Sequence, residues 1–465
     1  MTYLSGKHLL MLTGLLLLSG CTSVMQKDKF GGFEQAITHG ANLDAIVLAE
    51  ERAKIDKDTG YAKNLLWSLQ AATLLRQEKA YRKSNLLFDA AEYEMQGEDT
   101  EHFLSKGAQL AGSMFLNDSV TSYKQSQFDG VMANTYKALN FMAQGDNANA
   151  RIEWNRTEDR QRRAAEYFQK KVAKQKEKLA EEQAQLDQEN IDRSLEKATP
   201  ILANQGVDLS QWSAYDGYIN PFSTYLHGLY FMLKAQDNSD YSKARDSFKR
   251  VYGLTKNADV KVDMNMATSL TKGRGMKRHK PTVWVIFENG LGAKKEEFRI
   301  DLPLFAFTSN VTYSGIALPK LVERPQAYPY LEIGKIKTRP LASMDKVIQA
   351  EFKSEFPYIL TREVIRTTLK TVAQKQIQDR NPLAGMLAGM AQAASTGADI
   401  RSWTALPKEW QLARVARPTS NKLTIKTPGL ALPLDVDLDP NSRFHMVYVK
   451  AAAPNLQPTV ETINL

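Results

Sequence analysis

Apolar positions along the chain change their period near residue 275. From Gly32 to about Leu270 the sequence is rich in Ala, Leu, Gln, Glu, Lys and Arg, with apolar residues three and four apart, which is the pattern of amphipathic helices. Pro200 and Pro221 are the only prolines in that stretch. Beyond Pro281 the texture becomes short β-branched and aromatic runs divided by Gly, Pro and Asn, the pattern of strands and turns. The expectation is an α+β chain: a helical domain over 33–270, a basic linker over 271–281, and a mainly antiparallel β domain over 282–465. Thr282 to Phe287 reads as a buried strand that turns at Glu288-Asn289-Gly290 and returns over Glu297 to Leu302 as a hairpin. Further strands are expected at Val311–Leu318, Trp410–Val415, Leu423–Thr427, Leu434–Leu438 and Phe444–Val449. Between them a helical insertion over 343–396 is interrupted at Pro357 and resumes after Pro382 as a Gly-Ala-Met helix, 383–391. Gly385 and Gly389 stand four apart there, so core, membrane-contacting and oligomer-forming roles all stay open for it.

A second period is visible inside the helical part. Ala72 and Leu75 are followed by Tyr81, Ser84, Phe88 and Ala91; Ala138 and Phe141 by Gly145, Ala150 and Trp154; Gly228 and Phe231 by Tyr241, Ala244, Phe248 and Val251. Small residues at these spacings let paired helices approach closely, and the aromatics wedge the next pair. The three units resemble tetratricopeptide repeats, and the resemblance implies αα-hairpins with a concave binding surface. They depart from that family in being non-contiguous, in lacking glycine at the first turn and in lacking the helix-ending proline. An irregular bundle is therefore expected over a regular solenoid.

Between the second and third units, Arg156 to Ala198 is dense in Lys, Arg, Glu and Gln, with almost no helix breakers. As one helix it would reach roughly 65 Å at 1.5 Å per residue. Ala165, Val172, Leu179 and Leu186 recur every seven residues, but the companion seam reads Phe168, Gln175, Glu182 and Glu189. That is half a coiled coil, suited to resting on a neighbouring helix of the same chain, and the expectation is a protruding, partly solvated helix or helical hairpin that gives reach.

The N-terminus carries an address. Lys7, the apolar run Leu9 to Leu18, and Leu18-Ser19-Gly20-Cys21 have the order and proportions of a lipoprotein signal peptide over 1–20, cleaved between Gly20 and Cys21. Cys21 is the single cysteine, so no disulfide or multi-cysteine metal site competes for its thiol, and its expected fate is lipid attachment, palmitate included. Segment 21–32 is then a polar lipidated tether. By resemblance to bacterial lipoproteins, Thr22 in place of Asp implies sorting to the outer membrane, facing the periplasm. The formal charge of +9 suits anionic envelope surfaces, and the expected periplasmic address argues against nucleic acid as a partner. Much of the excess sits in the linker, where Lys272, Arg274, Lys277, Arg278 and Lys280 are candidate anion contacts.

Catalytic patterns are weak. The six histidines are scattered singly, so neither a metal site nor a cofactor is expected. Ser343-Met344-Asp345-Lys346 matches Ser-x-x-Lys, but Ser-Asp-Asn is missing and Lys426-Thr427-Pro428 stands where Lys-Thr-Gly is needed. Gly290-Leu291-Gly292 lacks the third glycine of a dinucleotide loop. The stretch Asp399 to Pro407, with Gln411 to Arg414, resembles a segment of an uncharacterised family of bacterial outer-membrane lipoproteins. That family combines tetratricopeptide-like N-terminal helical repeats with a C-terminal strand-rich domain, and the resemblance implies location and architecture. Within it, Trp403 and Leu406 read as core, and Arg401 and Arg414 as partners for carboxylates. The resulting expectation is a non-catalytic protein-docking scaffold. Its partners are outer-membrane lipid through Cys21, envelope proteins and peptidoglycan, and its oligomeric state is left open. The alternatives are a regulator of a peptidoglycan synthase, or a structural subunit of an envelope-spanning secretion or flagellar complex.

Overall fold

The computed structural model describes residues 30–56, 62–101, 123–183, 188–204, 207, 214–215, 220–301, 315–380 and 397–465. The signal segment, Cys21 and the tether up to residue 29 lie outside the described residues, as does the Gly-Ala-Met stretch 383–391. The chain is α+β, with paired helices first and then a β-rich region carrying one long inserted helix.

The helices are α1 (30–38), α2 (Asn42–Ala53), α3 (Leu65–Gln77), α4 (Tyr81–Glu101), α5 (Gln127–Ala143), α6 (Asn147–Gln183), α7 (Gln188–Asn204), α8 (Pro221–Leu233), α9 (Asn238–Thr255) and α10 (Ala258–Thr271). Neighbours in sequence pack in space along α2–α3–α4–α5–α6 and along α8–α9–α10, with α6 also touching α8. Local chemistry sets their ends. Asn64 caps α3 by accepting from Trp67 N at 3.2 Å, and Asn220 caps α8 by accepting from Phe222 N at 3.0 Å, with Pro221 in the first turn. The α5–α6 turn closes with Gly145 at φ 74° and Asp146 N bonded to Phe141 O. At the α3–α4 turn Lys79 takes the same left-handed conformation, φ 59°, and Ala80 N bonds to Leu75 O. The first unit thus turns in the same way without its glycine.

The described residues of the long charged stretch are helical, in α6, which begins at Asn147, and in α7, which ends at Asn204; residues 184–187 lie outside the described residues. The start at Asn147 follows from the turn at Gly145-Asp146, since nothing between Asn147 and Arg156 breaks the helix. Ile191, Ala198 and Leu202 of α7 are buried in a satellite core.

The strands are β1 (Thr282–Asn289), β2 (Lys294–Asp301), β3 (Gly315–Val322), β4 (Glu332–Ile333), β5 (Ile336–Lys337) and β6 (Arg339–Ser343). The inserted helix α11 (Met344–Arg380) follows, then β7 (Glu409–Ala416), β8 (Lys422–Ile425), β9 (Leu434–Asp437), β10 (Phe444–Ala451) and β11 (Thr459–Asn464). The main sheet has the order β11-β10-β1-β7-β6 and is antiparallel except for the parallel pair β1–β10. The expected hairpin between Thr282–Phe287 and Glu297–Leu302 does not form. All eight residues of β1 are buried, whereas Lys294 to Glu297 of β2 are half-exposed, so β1 takes the sheet centre and β2 pairs with β3 in a separate ribbon. The expected interruption at Pro357 is also absent. Phe352, Phe356, Leu360 and Val364, which straddle that proline, are buried together with Ile300, Ile316 and Leu318 of the ribbon, and this packing carries the helix through one missing backbone donor.

Side chains alternate across the main sheet with a period of two. Trp284, Ile286, Trp410, Leu412, Met446, Tyr448 and Ile463 face the helices. Val283, Val285, Phe287, Ala413, Val415, Val447 and Val449 face the small hairpins β4–β5 and β8–β9. The helix-side core is continuous from Phe33 to Ile463, so the helical layer and the sheet share one interior. Gly290, just past β1, has φ 67°, and a Cβ there would lie 2.8 Å from Pro325 O. Gly290→Ala is therefore expected to lower stability by about 2–3 kcal/mol in urea unfolding, from left-handed strain plus a clash with backbone that cannot rotate away.

Candidate functional site

Where the strands end, the helix-facing register continues into charged residues. Glu288 follows Trp284 and Ile286 on β1, Lys450 follows Met446 and Tyr448 on β10, and Glu461 precedes Ile463 on β11. They meet Thr73 and Arg76 of α3 and Tyr136 of α5 around a cavity of about 30 Å³, room for one or two waters. Tyr448 Oη donates to Glu288 Oε2, Tyr136 Oη reaches the same oxygen at 3.4 Å, and Lys450 Nζ lies 2.6 Å from Oε1. Arg76 pairs with Glu461 at 2.9 Å, donates to Asn140 Oδ1 at 2.9 Å, and lies 5.3 Å above the Tyr448 ring. Tyr81, singled out above as a repeat residue, donates to Glu461.

Burial, then the charge of Glu288, pushes the Tyr136 and Tyr448 phenols well above their usual range. Burial opposes the charge on Arg76, but Glu461 outweighs it and the guanidinium stays protonated. The phenols donate and the carboxylates accept, so this cluster ties three helices' polar groups to the sheet.

A second buried network lies within the helices. Lys137 of α5, 2% exposed, contacts Asp89 at 2.7 Å, Glu92 at 2.5 Å and Glu153 at 3.1 Å. Asn134 donates to Glu92 and Glu153 at 2.7 Å each, Arg160 pairs with Glu92 at 2.9 Å, and Arg156 pairs with Glu153 at 2.8 Å. Three cations thus balance three carboxylates. Elsewhere Asp263 of α10 binds Arg414, Tyr225 and Trp284, and burial raises its carboxyl to about 6.

The segment Asp399 to Pro407 is docked on α3. Trp403 and Leu406 are core, Arg401 pairs with Asp399, and Arg414 pairs with Asp263. Gln70 Nε2 donates to Ser402 O and Thr404 Oγ1 at 3.1 Å each, its Oε1 accepts from Ala405 N at 2.9 Å, and Trp403 Nε1 donates to Thr73 Oγ1 at 3.0 Å.

The repeat residues are mostly interior. Ala72, Phe88, Ala91, Ala138, Ala150, Trp154, Ala244 and Phe248 are fully buried, whereas Phe141 and Tyr241 are partly so. Gly228 lies where a Cβ would be 3.0 Å from the Phe248 ring, so α8 and α9 meet at that glycine. Lys272, Arg274, Lys277, Arg278 and Lys280 are exposed and stand away from the cavity, at the other end of β1. Ser343 Oγ accepts from Lys346 N at 3.3 Å, a helix-capping contact at the start of α11. His227 is buried against Ser247, and burial, then Arg250, lowers its pKa to about 3. Among the described residues no cluster of three metal-ligating side chains occurs, and no helix is long and apolar enough to cross a membrane.

Gln70, Arg76, Lys137, Glu288, Lys450 and Glu461 belong to no motif in the sequence. Their signal is a polar residue standing in register with an apolar face, as Glu288 does after Trp284 and Ile286. No family model matches the chain, and no curated protein and no solved structure matches it.

Proposed function

We propose that the chain is an outer-membrane-anchored periplasmic lipoprotein, held by acylated Cys21, whose paired helices are degenerate tetratricopeptide-like units forming a non-catalytic protein-docking scaffold. The observation that carries the docking part is apolar surface on the outer helices. Leu43 and Val47 of α2 are 68% and 55% exposed, and Leu86 and Tyr93 of α4 are 61% and 66% exposed. These two helices both pack on α3 and are joined by the Lys83–Glu50 ion pair at 2.6 Å. Large apolar side chains displayed on neighbouring helices are surface that a protein partner would cover. A shared core and buried ion networks support the scaffold reading, because they hold that surface on a rigid body. The anchor rests on the Leu18-Ser19-Gly20-Cys21 sequence.

Photo-crosslinking residues placed at Leu86 and Tyr93 in intact cells test both parts. The expected outcome is capture of one and the same envelope protein from both positions, with capture falling sharply in Cys21→Ser as that chain leaves the membrane fraction. No envelope protein captured from either position would overturn the scaffold. Unchanged membrane fractionation of Cys21→Ser would overturn the anchor.

A further inference from the structure

The two ends of the central strand have opposite surroundings. At its C-terminal end, past Asn289, lies the start of the described chain. Glu34 of α1 pairs with Lys294 at 3.0 Å, Arg324 donates to Gly292 O, and a Cβ on Gly40 would lie 3.3 Å from Leu456 in the β10–β11 connection. At its N-terminal end lies the 272–280 segment. Arg443 Nη2 donates to His279 O at 2.7 Å, Thr282 N bonds to Arg443 O at 3.2 Å, and Arg417 N bonds to Pro281 O at 3.0 Å. Seven residue steps of β1 separate the two ends, about 23 Å at 3.3 Å per residue.

The N-terminal end is strongly basic. Lys272, Arg274, Lys277, Arg278 and Lys280 are exposed, Arg443 stands beside them, and the sequence has no Asp or Glu between Asp263 and Glu288. Among the described residues none of these six side chains pairs with a carboxylate. The acidic groups on neighbouring elements are engaged elsewhere: Asp263 is buried on Arg414, and Asp439 accepts from Asn464 Nδ2 and Asn441 N at 2.9 Å each. The segment is also held in shape. Gly273 closes α10 with φ 78°, residues Met276–Arg278 form a 3₁₀ turn, and His279 Nε2 bonds to Ser269 Oγ at 2.9 Å. Burial, then Arg414, Arg274 and Arg443, pushes the His279 pKa below its usual range, so an imidazole at this end already feels the positive field.

We propose that this basic end binds the carboxylate-bearing glycopeptide polymer of the cell wall. The inference rests on the anchored reading above, because a tether leading to residue 30 draws the opposite end of the sheet toward the bilayer. Between Cys21 and Phe30 stand eight residues, at most about 29 Å of extended chain at 3.6 Å each. The basic end then faces away from the membrane that holds the anchor, toward the anionic polymer beneath it. Unpaired cations arrayed on a fixed turn attract spaced carboxylates without a pocket, in a salt-sensitive way.

The test is co-sedimentation of the full-length purified protein with peptidoglycan sacculi at 50 and 300 mM salt. The variant combines Arg274→Glu, Lys277→Glu and Arg278→Glu, all at exposed positions, and its urea midpoint should equal that of the unaltered chain. The expected result is binding at low salt, weaker at high salt, and reduced about tenfold or more in the variant, with sacculi whose carboxylates have been amidated binding neither protein. Absence of binding by the unaltered protein, or equal binding by the variant, overturns the proposal. A Cys21→Ser chain that instead binds vesicles of phosphatidylglycerol and phosphatidylcholine through the same three residues would overturn it in favour of a membrane contact. Membrane fractionation of the unaltered chain reads the anchor separately, so failure of one reading is distinguishable from failure of the other.

Discussion

Replacing Lys137 by methionine is expected to cost about 3–5 kcal/mol of stability, because it leaves buried carboxylates without their shared cation. The side chain sits among Asp89, Glu92 and Glu153, and Glu153 is itself almost fully buried. Arg156 and Arg160 remain in the variant but already belong to the balance, so three carboxylates would face two cations. Adding Glu92→Gln to Lys137→Met should recover part of the loss, since the amide has no charge to bury and Asn134 stays within reach. The same network predicts a pH dependence. Burial raises the Glu92 pKa, but Lys137 and Arg160 outweigh it and hold the carboxyl below its ordinary value of 4.5. Between that value and the lower folded one, the unfolded chain binds more protons than the folded chain. The stabilisation is therefore complete above about pH 4.5 and is lost as pH falls through the folded pKa. Urea unfolding between pH 3 and 7 checks this: the acid limb of the stability profile should be shallower in Lys137→Met. A cost below about 1 kcal/mol would mean that water already reaches the carboxylates.

Periodicity carried the order of elements, because it reports which face of each element is buried. It marked the change from helices to strands near residue 275, and β7, β8, β9 and β10 lie within about two residues of their expected spans. It left the pairing of strands open, since pairing depends on contacts far apart in sequence. Thr282–Phe287 followed by Glu288-Asn289-Gly290 carries hairpin chemistry, yet a completely buried strand gains more from two buried neighbours, β10 and β7, than from the half-exposed β2. Pro357 misled for a similar reason, because local propensity was outweighed by Phe352, Phe356 and Val364 in the satellite core. The strand β11 went unread because Thr459 to Asn464 lacks an alternating apolar face, Ile463 alone being buried. The polar clusters were the least legible part. Lys137 and Glu288 look like solvated charges until the partner element is known, and their partners lie 45 and 160 residues away, at Glu92 and Tyr448.

Substituting Gln70 by alanine should be the most damaging single change at the junction of the two layers, about 3–4 kcal/mol. One amide serves three groups of the Ser402-Trp403-Thr404-Ala405 segment, donating to Ser402 O and Thr404 Oγ1 and accepting from Ala405 N. Ala405 is 1% exposed, so its N–H would lose its partner without gaining bulk water. An orphaned buried donor costs about 1–3 kcal/mol, and the removed side-chain volume adds a cavity term. Thr404→Val is the control: Nε2 keeps its bond to Ser402 O, and the loss should be about 1 kcal/mol. The two variants also separate hydrogen bonding from apolar packing. Trp403 is held by its donation to Thr73 Oγ1 and by rings of Phe88 and Tyr136 at 6.1 and 6.2 Å, contacts that Gln70→Ala leaves in place. If those contacts alone dock the segment, Gln70→Ala and Thr404→Val will have the same small effect in urea. If the amide is the clasp, Gln70→Ala alone will raise amide exchange at Trp403 to Leu406, because the segment then opens without unfolding the sheet behind it.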